Sequence, residues 1–248
     1  MVEKRSGAEA GPPPAAPPLS LPTIRPAPRP SVADQVFEVL QQRILALDLP
    51  PGTRMSESET AGKLGVSRQP VREAFKRLAA LGFLEIRPQS GTTVTLISEE
   101  AVIRARFIRT ALEAHTCRTA CALIGDDGLA RLRDLIDGQK AAIDAGDKTR
   151  FHALDDRFHR EICRQADAEY AWTLIQDSKA HMDRIRLLSL STSSQKFALE
   201  EHMMLFDAIA GRDPDAAAAA ITRHLDRMLV LIEEVKALDH RWFADSAR

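Results

Sequence analysis

From Ser31 onward the apolar side chains recur every three to four residues, the period of an amphipathic helix, and the pattern breaks at identifiable places. Val32, Val36, Val39, Leu40 and Ile44 predict a first helix that runs from a Ser31 cap to Leu47. Ser56 and Glu59 have the spacing of a capping box, and a short helix follows to Leu64 before Gly65 turns the chain. A third helix opens at Ser67, whose hydroxyl can accept from an early backbone N–H. It carries Pro70 in its first turn and ends at Leu81 against Gly82. The period then changes. Residues 83–87 and 92–96 predict two short strands, joined by a turn of Pro88, Gln89, Ser90 and Gly91.

Two helices, a tight turn and a hairpin make a winged helix-turn-helix. Beyond Ser98 only helical periodicity remains, with helices predicted over residues 99–124, 127–145, 148–164, 168–190, 194–210 and 214–238. Gly125, Gly146 and Gly211, with nearby aspartates, supply their stops and caps. The predicted fold is mainly α: an N-terminal winged helix-turn-helix over residues 31–97 and a C-terminal all-α antiparallel helical bundle over residues 98–248. The first thirty residues hold nine of the 14 prolines and predict a disordered tail.

Composition changes this picture little, but the placement of charge changes it more. The chain of 248 residues has a net charge of −1, so it is no polycation. Arg68, Arg72, Lys76, Arg77 and Arg87 nevertheless face only Glu73 and Glu85 in the third helix and its hairpin. At about 100° per residue, Arg68, Gln69, Arg72 and Lys76 share one side of the helix, while Val71, Ala74, Leu78 and Leu81 share the other. Arg and Gln have the geometry for guanine and adenine edges in a major groove, and Lys76 can neutralise a phosphate. Three scattered cysteines, no long apolar window and no signal-peptide core predict a cytoplasmic protein with no membrane partner.

The run from Ser67 to Ala74 resembles the recognition-helix signature of GntR family bacterial transcription regulators, and Pro51-Gly52, Leu64-Gly65-Val66 and Gly91 share that family's spacing. The resemblance implies DNA contacts from Ser67, Arg68, Gln69, Arg72, Lys76, Gln89 and Gly91. The family's common Leu-Ala pair reads Thr60-Ala61 here, its Thr after the first arginine reads Gln69, and Ser58 stands where some members carry an arginine. These departures bear on the operator sequence, not on the module.

In the helical half the informative residues are polar ones on apolar faces. Asp155 and His159 lie one turn apart on the face of Phe151, Phe158 and Ile162; His202 shares a face with Leu205, Phe206 and Ile209, and His224 with Ile221, Met228 and Leu231. An unpaired polar group in such a place costs about 1–3 kcal/mol, which a shared partner removes. One carboxylate and three imidazoles suit Zn²⁺, with Ni²⁺ or Mn²⁺ as alternatives, and leave room for an external ligand. His115, His152, His181 and His240 are read as packing or cavity residues, with His152 a substitute donor. This half resembles the FCD ligand-sensing domain of the FadR-type GntR branch. The segments Asp155-Asp156-Arg157-Phe158-His159, Glu201-His202 and Arg223-His224 follow that domain's metal-binding order. The resemblance also implies an anion-binding role for Arg109, with Arg184 a second candidate, suited to a small organic acid effector.

The expected function is therefore a homodimeric regulator that binds a double-stranded, inverted-repeat operator and senses a carboxylate metabolite, with the signal crossing the junction at residues 97–100. A regulator for which the metal itself is the signal is an alternative. A metal-dependent hydrolase is a weaker rival, since no His-Glu-x-x-His helix or placed general base accompanies the set.

Overall fold

The computed structural model describes residues 30–87, 91–189 and 191–244. The proline-rich tail up to residue 29 and the expected DNA contact Gln89 lie outside them. Helix α1 (Val32–Leu45) starts at a reciprocal cap: Ser31 Oγ accepts from the Asp34 amide at 3.1 Å, and the Asp34 carboxylate accepts from the Ser31 amide at 3.0 Å. Strand β1 (Arg54–Met55) precedes α2 (Glu57–Leu64), which Gly65 closes in a left-handed conformation (φ +66°). The predicted capping box is only half made, because Ser56 accepts from the Glu59 amide while the Glu59 carboxylate turns to Lys63.

Helix α3 (Arg68–Ala80) follows, and here the expected Ser67 cap is absent: its side chain makes no cap hydrogen bond. The reason lies two residues inside the helix. The amide that such a cap most often uses belongs at this start to Pro70, which has none. Strands β2 (Leu84–Arg87) and β3 (Gly91–Val94) pair antiparallel, and β1 adds to the other edge of β3, giving the order β1-β3-β2. Val36, Leu40 and Ile44 of α1 pack on Val71, Phe75 and Leu78 of α3 and on Phe83, Leu84 and Val94 of the wing.

The helical half comprises α4 (Glu99–Leu123), α5 (Asp126–Asp144), α6 (Lys148–Gln165), α7 (Glu169–Ser178), α8 (Ala180–Leu188), α9 (Thr192–Ala210) and α10 (Pro214–Leu238). Helix α4 packs along α10, and α5 along α6. Phe158, Ile162, Leu205, Ile209, Ile221 and Leu225 lie in the shared core. The single helix expected over residues 168–190 is instead two helices broken at Lys179. The Lys179 ammonium is drawn inward between Asp156 (2.8 Å) and Asp183 (2.6 Å), two buried or half-buried carboxylates that hydropathy periodicity does not reveal. At the junction Ile97 is fully buried. Its amide donates to Trp242 O at 2.8 Å, and Ala244 donates to Ile97 O at 2.9 Å, so the C-terminal segment clasps the linker. Among the described residues no helix is long and apolar enough to cross a membrane.

Candidate functional site

On α3, Val71, Ala74, Phe75 and Leu78 are buried, while Ser67, Arg68, Gln69, Arg72 and Lys76 are exposed, as is Gly91 at the start of β3. The two arginines are already ordered by neighbours. Arg68 Nη2 donates to Ser58 Oγ at 2.8 Å, and Arg72 forks onto Glu57 through Nε (3.0 and 3.1 Å) and Nη2 (2.9 Å). Gln69 donates to Glu73 at 3.0 Å. Ser58 thus stands as a support for Arg68 from α2, and Glu57 holds Arg72 extended from the helix.

In the helical half, α6, α9 and α10 bring Asp155, His159, His202 and His224 together, and each offers one donor atom within 4.8 Å of the others. All four are buried. Asp155 Oδ1 lies 3.6 Å from His202 Nε2, and Oδ2 lies 3.8 Å from His159 Nε2. Two donors of a tetrahedral Zn²⁺ site with bonds near 2.0–2.1 Å stand about 3.4 Å apart, so each of these two carboxylate–imidazole spacings is a few tenths of an ångström wider than a bound ion requires. His159 Nε2, His202 Nε2 and Asp155 Oδ1 have no hydrogen-bond partner. On the far side of each ring, Nδ1 faces a side-chain oxygen: Glu113 Oε2 at 2.7 Å for His159, Gln139 Oε1 at 2.8 Å for His202 and Glu201 Oε2 at 2.9 Å for His224. With the proton on Nδ1, Gln139 and Glu201 accept it from His202 and His224 and leave their Nε2 atoms free to face the site, while His159 Nδ1 stands in ion-pair range of Glu113 without a hydrogen bond. The residues present fit a divalent ion.

Burial, and then the neighbouring His and Arg charges, hold His202 and His224 well below the ordinary 6.5; Asp155 opposes both shifts. Burial works to raise Asp155, yet Arg186 and the three imidazoles hold its carboxyl well below 3.8. Glu201 is pushed up to about 7 by burial, against the pull of Arg227 and Arg223. For the metal-free chain the linkage has a definite sign. Unfolded His202 and His224 take up protons that the folded chain refuses, so their stability contribution is complete above about pH 6.5 and declines as the pH falls below it. Denaturant midpoints of chelator-treated protein should drop between about pH 6.5 and 5, and His202→Gln should flatten that slope. A midpoint constant across this window would contradict neutral burial.

Beside His224 opens a small cavity of about 50 Å³, walled by Arg109, Arg186, Arg227, Ser189 and Ser194 among others. Arg109 is buried and pairs with Glu113 at 2.5 Å along its own helix, but its Nη2 has no partner. Arg184, the second anion candidate, does not line this cavity: it sits under the winged half, where Nη1 donates to Thr95 Oγ1 at 3.2 Å. On the same helix it is Arg186 that lines the cavity, beside Arg109 and Arg227, and it ion-pairs with Asp155. His152 joins Asp156 and Asp183 in a separate cluster around Lys179. Sequence reasoning missed Arg186, Gln139 and Glu113 as partners of the site, and Glu201 entered it only as the neighbour of His202. The sole local signal was Glu201, adjacent to His202.

Residues 32–94 match the family described as bacterial regulatory proteins, gntR family, and residues 105–227 match the FCD domain. The HTH-type transcriptional repressor RspR of Escherichia coli (strain K12) is 35% identical over 219 residues, 88% of this chain and 96% of the relative. A probable D-xylose utilization operon transcriptional repressor of Paenarthrobacter nicotinovorans is 34% identical over 199 residues, 79% of this chain and 87% of the relative. The solved structure of E. coli McbR/YncC shares the fold, with a TM-score of 0.71 over 83% of this chain and 99% of that one at 21% identity. These relatives regulate transcription and are not enzymes, which removes the hydrolase reading. With its winged helix-turn-helix, its exposed cationic helix and its helical half, the chain belongs to the GntR family of bacterial transcription regulators, with an FCD domain behind the DNA-binding domain.

Proposed function

We propose that this regulator binds an inverted-repeat operator as a homodimer and that a small organic acid, held at a divalent metal in the FCD domain, sets its operator affinity. Asp155, His159, His202 and His224 would hold the ion, with Zn²⁺ the best match to three imidazoles and a carboxylate and Ni²⁺ or Mn²⁺ as alternatives. The observation that carries the reading is the convergence of the unpartnered His159 and His202 Nε2 atoms and the Asp155 carboxylate oxygens in a buried site where Gln139 and Glu201 hydrogen-bond the Nδ1 atoms of His202 and His224. Bound, the ion supplies a positive centre with room for an external carboxylate. Arg109, which lines the cavity and has an unpartnered Nη2, is the anion anchor, and Arg186 replaces Arg184 as the second guanidinium. On α3, Arg68, Gln69 and Arg72 read bases while Ser67, Lys76, Gln89 and Gly91 contact the backbone of the DNA. Residues 31–97 and 98–248 act as the two functional domains. Both named relatives are repressors, which supports repression as the mode of action.

Arg109→Ala tests the effector reading. The variant is expected to keep its metal and its operator affinity, and to lose the response of that affinity to the best acid from a thermal-shift panel of hydroxy, sugar and dicarboxylic acids. An Arg109→Ala protein that responds as the parent does would remove Arg109 from the role. A second reading, with the metal alone as signal, is favoured by one observation: Arg109 and Arg186 already have carboxylate partners within the protein. Titrating Zn²⁺ against operator affinity without any acid separates the two.

A further inference from the structure

Helix α8 is nine residues long and touches both domains. On one side Met182 and Arg186 line the cavity, and Arg186 pairs with Asp155 of the metal set. On the other side Ala180 is packed into the core of the winged domain. His181 Nδ1 accepts from the Ser98 amide, at the cap of α4, at 3.2 Å, and Arg184 donates to Thr95 Oγ1 at the same distance. Thr95 in turn donates to Gly82 O at 2.7 Å, behind the recognition helix. Arg184 is 1% exposed, its Nε and Nη2 have no partner, and no carboxylate pairs with it among the described residues. Burial brings its pKa down to about 10. A guanidinium buried against a single hydroxyl disfavours the docked arrangement, and any loosening that admits water relieves it. The contact between the domains is therefore poised and not locked.

We propose that α8 is the relay between the FCD domain and the winged domain, with Arg186 sensing the state of Asp155 and with Arg184 and His181 passing it to the docking contact. The proposal rests on the metal-site reading above. Without an ion, Arg186 neutralises Asp155. Asp155 would be drawn to a divalent ion held among it and the imidazoles, and Arg186 would be released; Asp156, whose Oδ1 lies 3.8 Å from Arg186 Nη1 without a hydrogen-bond partner, offers the next anionic position. Arg184 and Arg186 are two residues apart, about 200° around the helix, so a turn of α8 that moves one displaces the other. The chain break at Lys179, pinned between Asp156 and Asp183, gives the short helix a pivot.

Hydrogen exchange on the full chain tests the relay, with chelator-treated protein compared with protein loaded with Zn²⁺ alone. Loading is expected to change exchange over residues 82–87 and 95–98 by roughly fivefold or more, the lower end of ordinary coupling between sites. Arg186→Met should still load Zn²⁺ by elemental analysis yet leave those amides indifferent to it, and Arg186→Lys, which keeps the charge, should restore part of the response. Arg184→Met should slow exchange there in both states, since an apolar side chain fills the position without an unpaired charge. Parent protein that loads Zn²⁺ with no change over these residues overturns the relay and leaves the metal site standing. Parent protein that loads none overturns the metal reading and the relay with it. An Arg186→Met response equal to that of the parent removes Arg186 as the input.

Discussion

Replacing His202 or His224 with alanine should abolish stoichiometric divalent metal in the purified protein and, with it, the metal-dependent part of its thermal stability. An ion that binds only the folded chain stabilises it by about 4 kcal/mol at a thousandfold excess over its Kd. For a chain of this size that corresponds to a melting shift of roughly 8–16 °C. Both imidazoles are buried, so each substitution also leaves a cavity whose cost is independent of metal. The decisive quantity is therefore the difference between the Zn²⁺-loaded and chelator-treated melting temperatures within each variant. That difference should collapse for Asp155→Ala, His159→Ala, His202→Ala and His224→Ala, and persist for His181→Ala and His240→Ala. Gln139→Leu removes the oxygen behind His202, together with the amide that donates to Leu154 O, and should weaken the ion about 10- to 100-fold without abolishing it. Retention of one equivalent of metal and the full melting shift in His202→Ala would reduce the cluster to packing histidines.

The second large effect is on DNA. Arg72→Ala should lose about 1–3 kcal/mol of affinity for an operator fragment selected from random DNA, and Arg68→Ala a similar amount, while affinity for unrelated DNA changes little. Lys76→Ala should behave differently, weakening selected and unrelated DNA alike and reducing the salt dependence by about one ion, the signature of a phosphate contact. The Arg72–Glu57 fork adds a further expectation. Glu57 is held below its ordinary pKa by Arg72, so it is a full negative charge beside the exposed cationic face of α3. Glu57→Gln should raise affinity for unrelated DNA, because it deletes that charge and frees Arg72 from a fixed direction. Gel shifts at one salt concentration decide the matter. A folded Arg68→Ala, Arg72→Ala double variant with undiminished operator affinity would show that α3 is not the reading element.

The parts legible in the sequence are those governed by contacts within about four residues. The Ser31 cap, the glycine stops at Gly65 and Gly82, the division of α3 into buried and exposed faces and the pairing of Asp155 with His159 on one face all follow from helical period and local hydrogen bonding. One local inference failed for a local reason: Ser67 was assigned a cap although Pro70 had already removed the amide it would use. Tertiary structure decided what lay beyond that range. Glu113, Gln139 and Glu201 stand behind His159, His202 and His224 from other helices, and no periodicity announces that a distant oxygen will meet an imidazole. The break falls at Lys179, whose ammonium pairs with Asp183 four residues on and with Asp156 of another helix, and only packing brings the second carboxylate there. Arg184 and Arg186 show the limit most plainly. They are the same residue type on the same helix, and hydropathy treats them alike. Which one faced the cavity and which one faced the winged domain was settled by the rotation of α8 about its axis, and that rotation is fixed by what packs on each side of it.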